Sequence, residues 1–592
     1  MVGLLLALAG CAHRYPLATT EPVQALSGVP VAFGDARLEV PEDTKVRWAF
    51  GDGSSAEGAA VVHPFPFAGH FTVRETVVDR SGERSSEIAV EVARRSPMMA
   101  VPPQASSALG LDTLWSRFAV YRALLARALP SAELEPALAQ VQQALGFDPA
   151  DVEAVKRAGF DPAEGVASFT FADDPGGRYL AVGTWDDAKS EGTLAVMLQR
   201  VGSVRSEGPD GFSRAELADG SELYWKHDRG YLLVRLPAEA AGPALGLAHF
   251  SDAPATGLTD SPEVRELRAK LGAGDAWAYF SRDALLPPGL SEREAPVASH
   301  LHALLAKLTV GGVALSGEAL WGVDVPGRLA LAQLFSSSDA PSLASRAPSG
   351  AALYLGLSAN LSQWLKLVAH GAPGARSRAE LQLSQAGLDL DALLDQLGDA
   401  GAVAAYFDAA EFYRGLAQSE SLLPRGEVLV GLRTANPAAA LALATGLLAS
   451  DGRPPGVRKM ASGTRLESTV GGHPAGAFVG AHELLLAWGL RRLDVAIEPP
   501  SGPRLADELA EVLPADALEP GRLVLHADIA GVLDALELKQ PVPGVPPDQL
   551  LRAQLFARIA TASFAPLRDF NAVVEPEPEG LHARFTLRLR PR

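Results

Sequence analysis

The chain holds one cysteine, Cys11, among its 592 residues. A body without cysteine has no structural disulfide and no thiolate-held metal cluster. Basic residues are also scarce: 52 Lys and Arg stand against 70 Asp and Glu, for a formal net charge of -18. Phosphate recognition needs clustered Lys and Arg, so no nucleic-acid partner is expected. No run of about eighteen apolar residues occurs beyond the N-terminus, so no spanning helix is predicted. There is no phosphate loop, no G-x-S-x-G elbow, no H-E-x-x-H and no dinucleotide fingerprint. The expectation is therefore a non-enzymatic protein with no cofactor and no metal.

What is present starts at the N-terminus. Leu4 to Ala9 form a short apolar run ending in Leu8-Ala9-Gly10-Cys11. This resembles a bacterial lipoprotein signal peptide with its lipobox, with residues 1–10 as the signal. The resemblance implies that Cys11 accepts a diacylglycerol, so that several acyl chains hold the protein stably on a membrane. Met1-Val2-Gly3 departs from the pattern, because such signals begin with positive charge. Ala12 follows the cysteine where an Asp would favour retention at the inner membrane, so the resemblance implies the outer membrane of a Gram-negative cell. Residues 11–23, with His13, then form a tether.

The next stretch is organised around Trp48-Ala49-Phe50-Gly51-Asp52-Gly53. Val29, Val31 and Phe33 alternate, as do Lys45 to Phe50, at the period of a half-buried strand. Asp52-Gly53 is a turn signal. His63, Phe65, Gly69, Phe71, Val73, Val77, Asp79 and Gly82 follow. WxFGDG, then H-x-F-x-x-x-G-x-F-x-V, then V-x-D-x-x-G, is similar to the PKD (polycystic kidney disease) domain, an immunoglobulin-like β-sandwich. The resemblance covers residues 24–95. It implies Trp48 as the core tryptophan, a turn at Gly51, Asp52 and Gly53, and a role as a spacer or adhesive unit. Some such domains bind calcium; Asp52 and Asp79 are read here as turn carboxylates instead. Glu75 departs from the pattern at a normally apolar position, which suggests an edge strand or a face towards a partner.

Residues 96–106, with Pro97, Pro102 and Pro103, read as a linker. Beyond it the chain repeats. Gly146-Phe147-Asp148 opens a helical pattern leading to Val166–Phe171, and Gly387-Leu388-Asp389 opens another leading to Ala402–Phe407. The strand at Tyr179–Gly183 matches Glu427–Gly431, and each precedes a helix. The hairpin of Ser221–Trp225 and Tyr231–Leu236 turns at Asp228-Arg229-Gly230 and matches Ala475–Val479 with Glu483–Trp488. Helix Ser261–Leu271 with strand Ala276–Phe280 matches Leu505–Leu513 with Arg522–His526, and Asp283 and Asp528 follow at corresponding places. A helix and a hairpin end at Gly327–Leu334 in the first copy, and Gly580–Leu589 closes the second. The offsets run from roughly 240 to 255 residues. The predicted fold is multidomain: the sandwich, then a duplicated α+β body of mostly antiparallel sheets, with copies at 107–345 and 348–592. The body resembles only uncharacterised bacterial envelope proteins, which imply no activity.

Candidate chemistry within the body is sparse. Asp186-Asp187 precedes a helix and reads as a cap rather than an acid–base pair, as do Thr434 and Asn436 in the second copy. Asp161-Pro162-Ala163-Glu164 reads as a cap with Pro at the first helical position. His300 and His302 read as helical and on different faces, hence poor joint ligands. Tyr224, Trp225 and Tyr231 read as core or cross-strand pairs. The functional expectation is a lipid-anchored envelope protein whose body binds a protein or cell-surface partner. The alternatives are a carrier for an apolar ligand and a secreted hydrolase with an accessory module.

Overall fold

A computed structural model of the chain describes residues 17–590 except 19–20, 28–29, 36, 38–39, 66–68, 81, 94, 129–130, 201–202, 238–244, 251–256, 286–299, 337–342, 362, 365–383, 385–388, 390–396, 418–425, 450–452, 471, 499–501 and 538–540. Cys11, the signal peptide expected at 1–10, His13 and the Gly387-Leu388 opening expected for a second copy lie outside the described residues.

The N-terminal module is the expected sandwich. One sheet has the order β1 (Val23–Leu26), β7 (Gly82–Ala93), β6 (Gly69–Asp79), β3 (Lys45–Ala49), β4 (Ser55–Glu57). The other pairs β2 (Pro30–Gly34) with β5 (Ala60–Pro64). Alternation along β3 buries Val46 and Trp48 while Lys45, Arg47 and Ala49 face water, as a period of two requires. Phe33, Phe50, Phe65, Phe71, Val73 and Val77 close the core around Trp48. Glu75 corrects the edge-strand expectation. It lies on β6, between β7 and β3, on the same buried face as Val73 and Val77. Its carboxylate accepts from the backbone N–H of Ala18 at 2.7 Å and from the Ser86 hydroxyl at 3.1 Å. These bonds compensate its desolvation and clamp the segment before β1 to the sheet.

Residues 96–106 are not a free linker. Ser96 caps a short 3-10 helix, Pro97–Ala100, by accepting from the Met98 N–H at 3.3 Å. Met98, Val101 and Ala105 are almost completely buried. Proline and serine suit a capped, pre-set turn as well as a loose loop, and here Met98 fills the space over Gly110.

By compactness the chain divides into two units. The first holds the described residues up to Ala119 and Ala139–Ser261; the second holds Val120–Leu138 and the described residues from Pro262 onward. The division falls inside 107–345, so the expected first copy is not one compact unit. In the first unit β8 (Ser107–Leu111), β9 (Val166–Phe171), β10 (Asp174–Gly183), β14 (Tyr231–Leu236), β13 (Glu222–Asp228), β12 (Ser213–Glu216) and β11 (Val204–Glu207) are neighbours in that order, all antiparallel. Helix Asp187–Arg200 follows β10 and buries Leu194 and Leu198 against Trp225 and Leu232.

The sandwich is fastened to this sheet by a buried polar cluster. The Ser27 hydroxyl donates to Glu164 at 2.6 Å. Arg95 Nε lies 3.5 Å from the Glu164 carboxylate, and both side chains are at least nine-tenths buried. The Arg95 guanidinium also donates to the Arg229 and Gly230 carbonyls and sits 4.3 Å from the Tyr231 ring centre. The Tyr231 hydroxyl donates to the Ser96 carbonyl at 3.1 Å. The Asp228-Arg229-Gly230 turn is as expected, with φ of +49° at Arg229 and +77° at Gly230. Glu164 is not part of a helix start: residues 161–165 form a turn before β9, and Asp161 accepts from the Ala163 N–H at 2.8 Å.

In the second unit β15 (Ala276–Ser281), β16 (Leu301–Val310), β17 (Ala314–Val323), β27 (Gly580–Leu589), β26 (Leu567–Glu577), β25 (Leu523–Ala527), β18 (Leu353–Ser358), β19 (Leu397–Phe407), β20 (Gly426–Thr434), β24 (Glu483–Trp488), β23 (His473–Val479), β22 (Gly463–Val470) and β21 (Gly456–Met460) succeed one another, each pair antiparallel. The β17–β27 ladder, from Ala314↔Arg588 to Gly322↔Gly580, joins the β16–β17 hairpin to the β26–β27 hairpin directly, whereas Gly327–Leu334, expected to end a hairpin, lies in helix Val325–Leu334. That junction explains why β16 and β17 belong to the second unit.

Helix Pro547–Thr561 buries Leu550, Ala553 and Ala557 with Tyr413 and Val542, while Leu551, Leu555 and Ile559 are 60–70% exposed. Ala553→Glu places an unpaired charge in that cluster and is expected to cost at least about 3 kcal/mol, whereas Leu555→Glu shifts stability by less than about 0.5 kcal/mol. Urea midpoints of the second unit's transition check the contrast; equal shifts would contradict this assignment of faces.

Candidate functional site

The turn that identifies the sandwich is built from its own side chains. Asp52 accepts from the Ser54 N–H at 2.9 Å and contacts His63 Nε2 at 2.7 Å. The His63 ring stacks on Phe50 with centroids 3.9 Å apart. Burial opposes ionisation of Asp52, but the hydrogen bonds from Ser54 and His63 outweigh it and hold the carboxyl below its usual value. Gly51 has φ +80°, and a Cβ there would meet the Thr72 carbonyl at 2.8 Å. Asp79 is bound by Arg84 at 2.7 Å. The β3–β6 register pairs Lys45 with Val78 and Ala49 with Arg74, which puts Asp52 and Asp79 at opposite ends of β3 and unable to share an ion.

The body's expected caps are found at helix ends. Asp186 accepts from the Lys189 N–H at 3.1 Å, and Asp187 from the Thr184 hydroxyl at 2.6 Å. Asn436 accepts from the N–H groups of Ala438 and Ala439, and Asp528 from Gly531. Asp283 lies inside the short helix Arg282–Leu285. His302 is not helical but lies in β16, whereas His300 ends a 3-10 turn just before that strand. They flank Leu301 at the irregular start of β16, and His300 Nδ1 lies 3.0 Å from Asp324. Tyr224, Trp225 and Tyr231 are all buried; Trp225 Nε1 donates to Glu191 at 2.9 Å.

Two features of the second unit were not visible as sites. Glu575, Glu577 and His582 lie close enough together to hold a metal ion. Arg522 and Arg584 approach Glu575 at 2.8 and 2.9 Å, and His582 faces Glu577 at 2.8 Å and Glu318 at 3.4 Å. The positive charge a cation would supply is already there, so this is a charge ladder across β17, β27 and β26.

The other is a cleft of about 600 Å³ where the ends of β19, β20, β23 and β24 meet the start of helix Leu490–Ile497. Its walls include Tyr406, Trp488, Arg491, Arg492, Glu427 and His473. Trp488, the last residue of β24, is 42% exposed, an uncommon state for so large an apolar ring. Arg492 is 4.2 Å from the Tyr406 ring centre and donates to Glu427 at 2.9 Å. The Tyr406 hydroxyl donates to the Pro348 carbonyl at 2.7 Å, and burial pushes its pKa up. Arg491 reaches Glu427 only at 3.9 Å and is 76% exposed. Asp408 is spent on the Ala410 and Glu411 N–H groups, and Glu411 pairs with Arg414. Gly489, with φ +98°, admits Glu427 where a Cβ would lie 2.4 Å from its Cγ. The lining comes from four strand ends and a helix start spread over more than eighty positions. The one sequence signal is Trp488 at a strand end, followed by Gly489 and two arginines.

Residues 15–93 match the family model of the PKD domain. No curated protein matches the chain. Among solved structures, crystal form III of TP0453 is 11% identical, covering 40% of this chain and 86% of that one at a TM-score of 0.23. Crystal form I of TP0453 is 15% identical, covering 43% and 81% at 0.22. Likenesses at these scores carry no argument about fold or role. Among the described residues no helix is long and apolar enough to cross a membrane.

Proposed function

We propose that the protein is a non-enzymatic, lipid-anchored binding protein of the cell envelope, with the PKD module as its spacer or adhesive unit and a partner held in the cleft beside Trp488. The observation that carries this reading is a half-exposed indole in a cleft whose neighbouring charges are largely paired with one another. A catalytic site needs a titratable group free to act at the reacting atom; the carboxylates here are occupied as caps and ion-pair partners. The charged rim also suits a polar partner better than the apolar cargo of a carrier, because apolar cargo would desolvate those groups without replacing their hydrogen bonds. The body is read as two copies. In support, β8-β9-β10-β14-β13-β12-β11 and β18-β19-β20-β24-β23-β22-β21 have the same connectivity, each with a helix after its third strand.

The test is co-sedimentation of the full chain with Gram-negative envelope fragments. Trp488→Ala is expected to weaken retention at least about tenfold, the loss of about 1.4 kcal/mol or more that a buried aromatic contact supplies. Unchanged retention would overturn the assignment of the cleft.

A further inference from the structure

We propose that the cleft accepts a neutral saccharide, a proposal that rests on reading the cleft as the binding site. The argument is one of charge and shape. Three carboxylates, Asp408, Glu411 and Glu427, and two guanidiniums, Arg491 and Arg492, line one opening. An anionic ligand would meet the carboxylates; a cationic one would meet Arg491, whose side chain is 76% exposed. A wholly apolar ligand would bury the ion pairs of Glu427 with Arg492 and of Glu411 with Arg414 with nothing to replace their water. What remains is an uncharged ligand with one apolar face and many hydroxyls.

A pyranose ring has that form. Its axial C–H groups make a flat apolar face that packs on an indole, and the exposed part of Trp488 offers such a surface at the end of β24. Its equatorial hydroxyls both donate and accept, so they can bond a guanidinium and a carboxylate that already bond each other. Arg491 has donors to spare, since its approach to Glu427 is 3.9 Å, and Glu427 keeps acceptor capacity beside Arg492. His473, exposed at the start of β23, also lines the cleft and offers a ring nitrogen to a hydroxyl. The volume lies within the roughly 300–1,000 Å³ of small-ligand sites, and the open end at the strand termini allows a chain of sugars to continue into solvent.

Isothermal titration calorimetry on the full chain tests this with maltotriose, cellotriose and chitotriose, and with trigalacturonate and a glucosamine trimer as charged arms. At least one neutral trisaccharide is expected to bind, with affinity at least tenfold lower in Trp488→Ala and intermediate in Trp488→Phe. Thermal unfolding of both variants should match the parent, because the side chain is half-exposed. Absence of heat with all three neutral sugars, tighter binding of either charged trimer, or equal affinity in Trp488→Ala would each overturn the proposal. If envelope retention depends on Trp488 while no neutral sugar binds, the ligand class is wrong and the cleft assignment stands. If retention is independent of Trp488, both fail.

Discussion

Arg95→Ala is expected to lower the stability of the first unit by about 3–5 kcal/mol, because it removes one partner of a buried ion pair and leaves the other charge uncompensated. Glu164 is 1% exposed and keeps the Ser27 hydroxyl, at 2.6 Å, and the neighbouring Tyr231 hydroxyl, neither of which carries positive charge. The Arg229 and Gly230 carbonyls each lose the Arg95 donor, the Gly230 carbonyl keeping the Thr184 N–H at 2.8 Å, and the Tyr231 ring loses its cation. The effect depends on pH with a definite sign. Burial raises the Glu164 pKa above the usual glutamate value despite the opposing pull of Arg95 and Ser27. The folded state therefore holds that proton more tightly than the unfolded chain, and stability falls as pH rises from the ordinary glutamate range through the raised value. Removing Arg95 raises it further, so the deficit should be smallest near pH 4 and largest near neutrality. Urea unfolding of parent and variant at acidic and neutral pH measures both. A deficit independent of pH would mean that Arg95 acts by packing alone. Replacing both partners together with leucine should cost far less than Arg95→Ala, since no charge is then stranded.

Trp48→Ala is expected to remove about 3–5 kcal/mol from the sandwich, the usual cost of a large aromatic truncated in a packed core. Trp48 is fully buried, lies 6.0 Å from the Phe33 ring and donates its indole N–H to the Gly58 carbonyl at 2.9 Å. The truncation opens a cavity and also strands that carbonyl. Trp48→Phe restores much of the volume but not the hydrogen bond, and should recover more than half of the loss. Hydrogen exchange should show amides of β3 and β6 losing protection, with β18 to β20 unchanged. Loss of protection in all of these together would show that the sandwich is not an independent cooperative element.

The sandwich was legible because its information is local. Val46, Trp48 and Phe50 declare a buried face by alternation alone, and Gly51-Asp52-Gly53 declares the turn. Glu75 was legible in register but not in role, because its partners, Ala18 and Ser86, are fixed by pairing between distant segments. Residues 96–106 were misread because a Pro- and Ser-rich composition describes backbone preference, not burial; Met98 and Val101 carried the contrary signal. His302 was misread because a short apolar run cannot separate strand from helix by periodicity. The cleft was illegible because Tyr406, Glu427, His473 and Trp488 meet only once the β19–β20 and β20–β24 ladders form.

The β17–β27 ladder has a consequence for how the protein is made. β17 ends at Val323, and its partner strand begins only at Gly580, so the whole intervening chain must leave the ribosome before the two can pair. At about 5–20 residues per second, synthesis leaves that edge without its neighbour for roughly ten seconds or more. During this interval β17 is an open template for strands of other nascent chains. A chaperone that masks edges, or secretion before folding, would protect it. A variant without Gly580–Leu589 would keep every element that lines the cleft and leave that edge of β17 open.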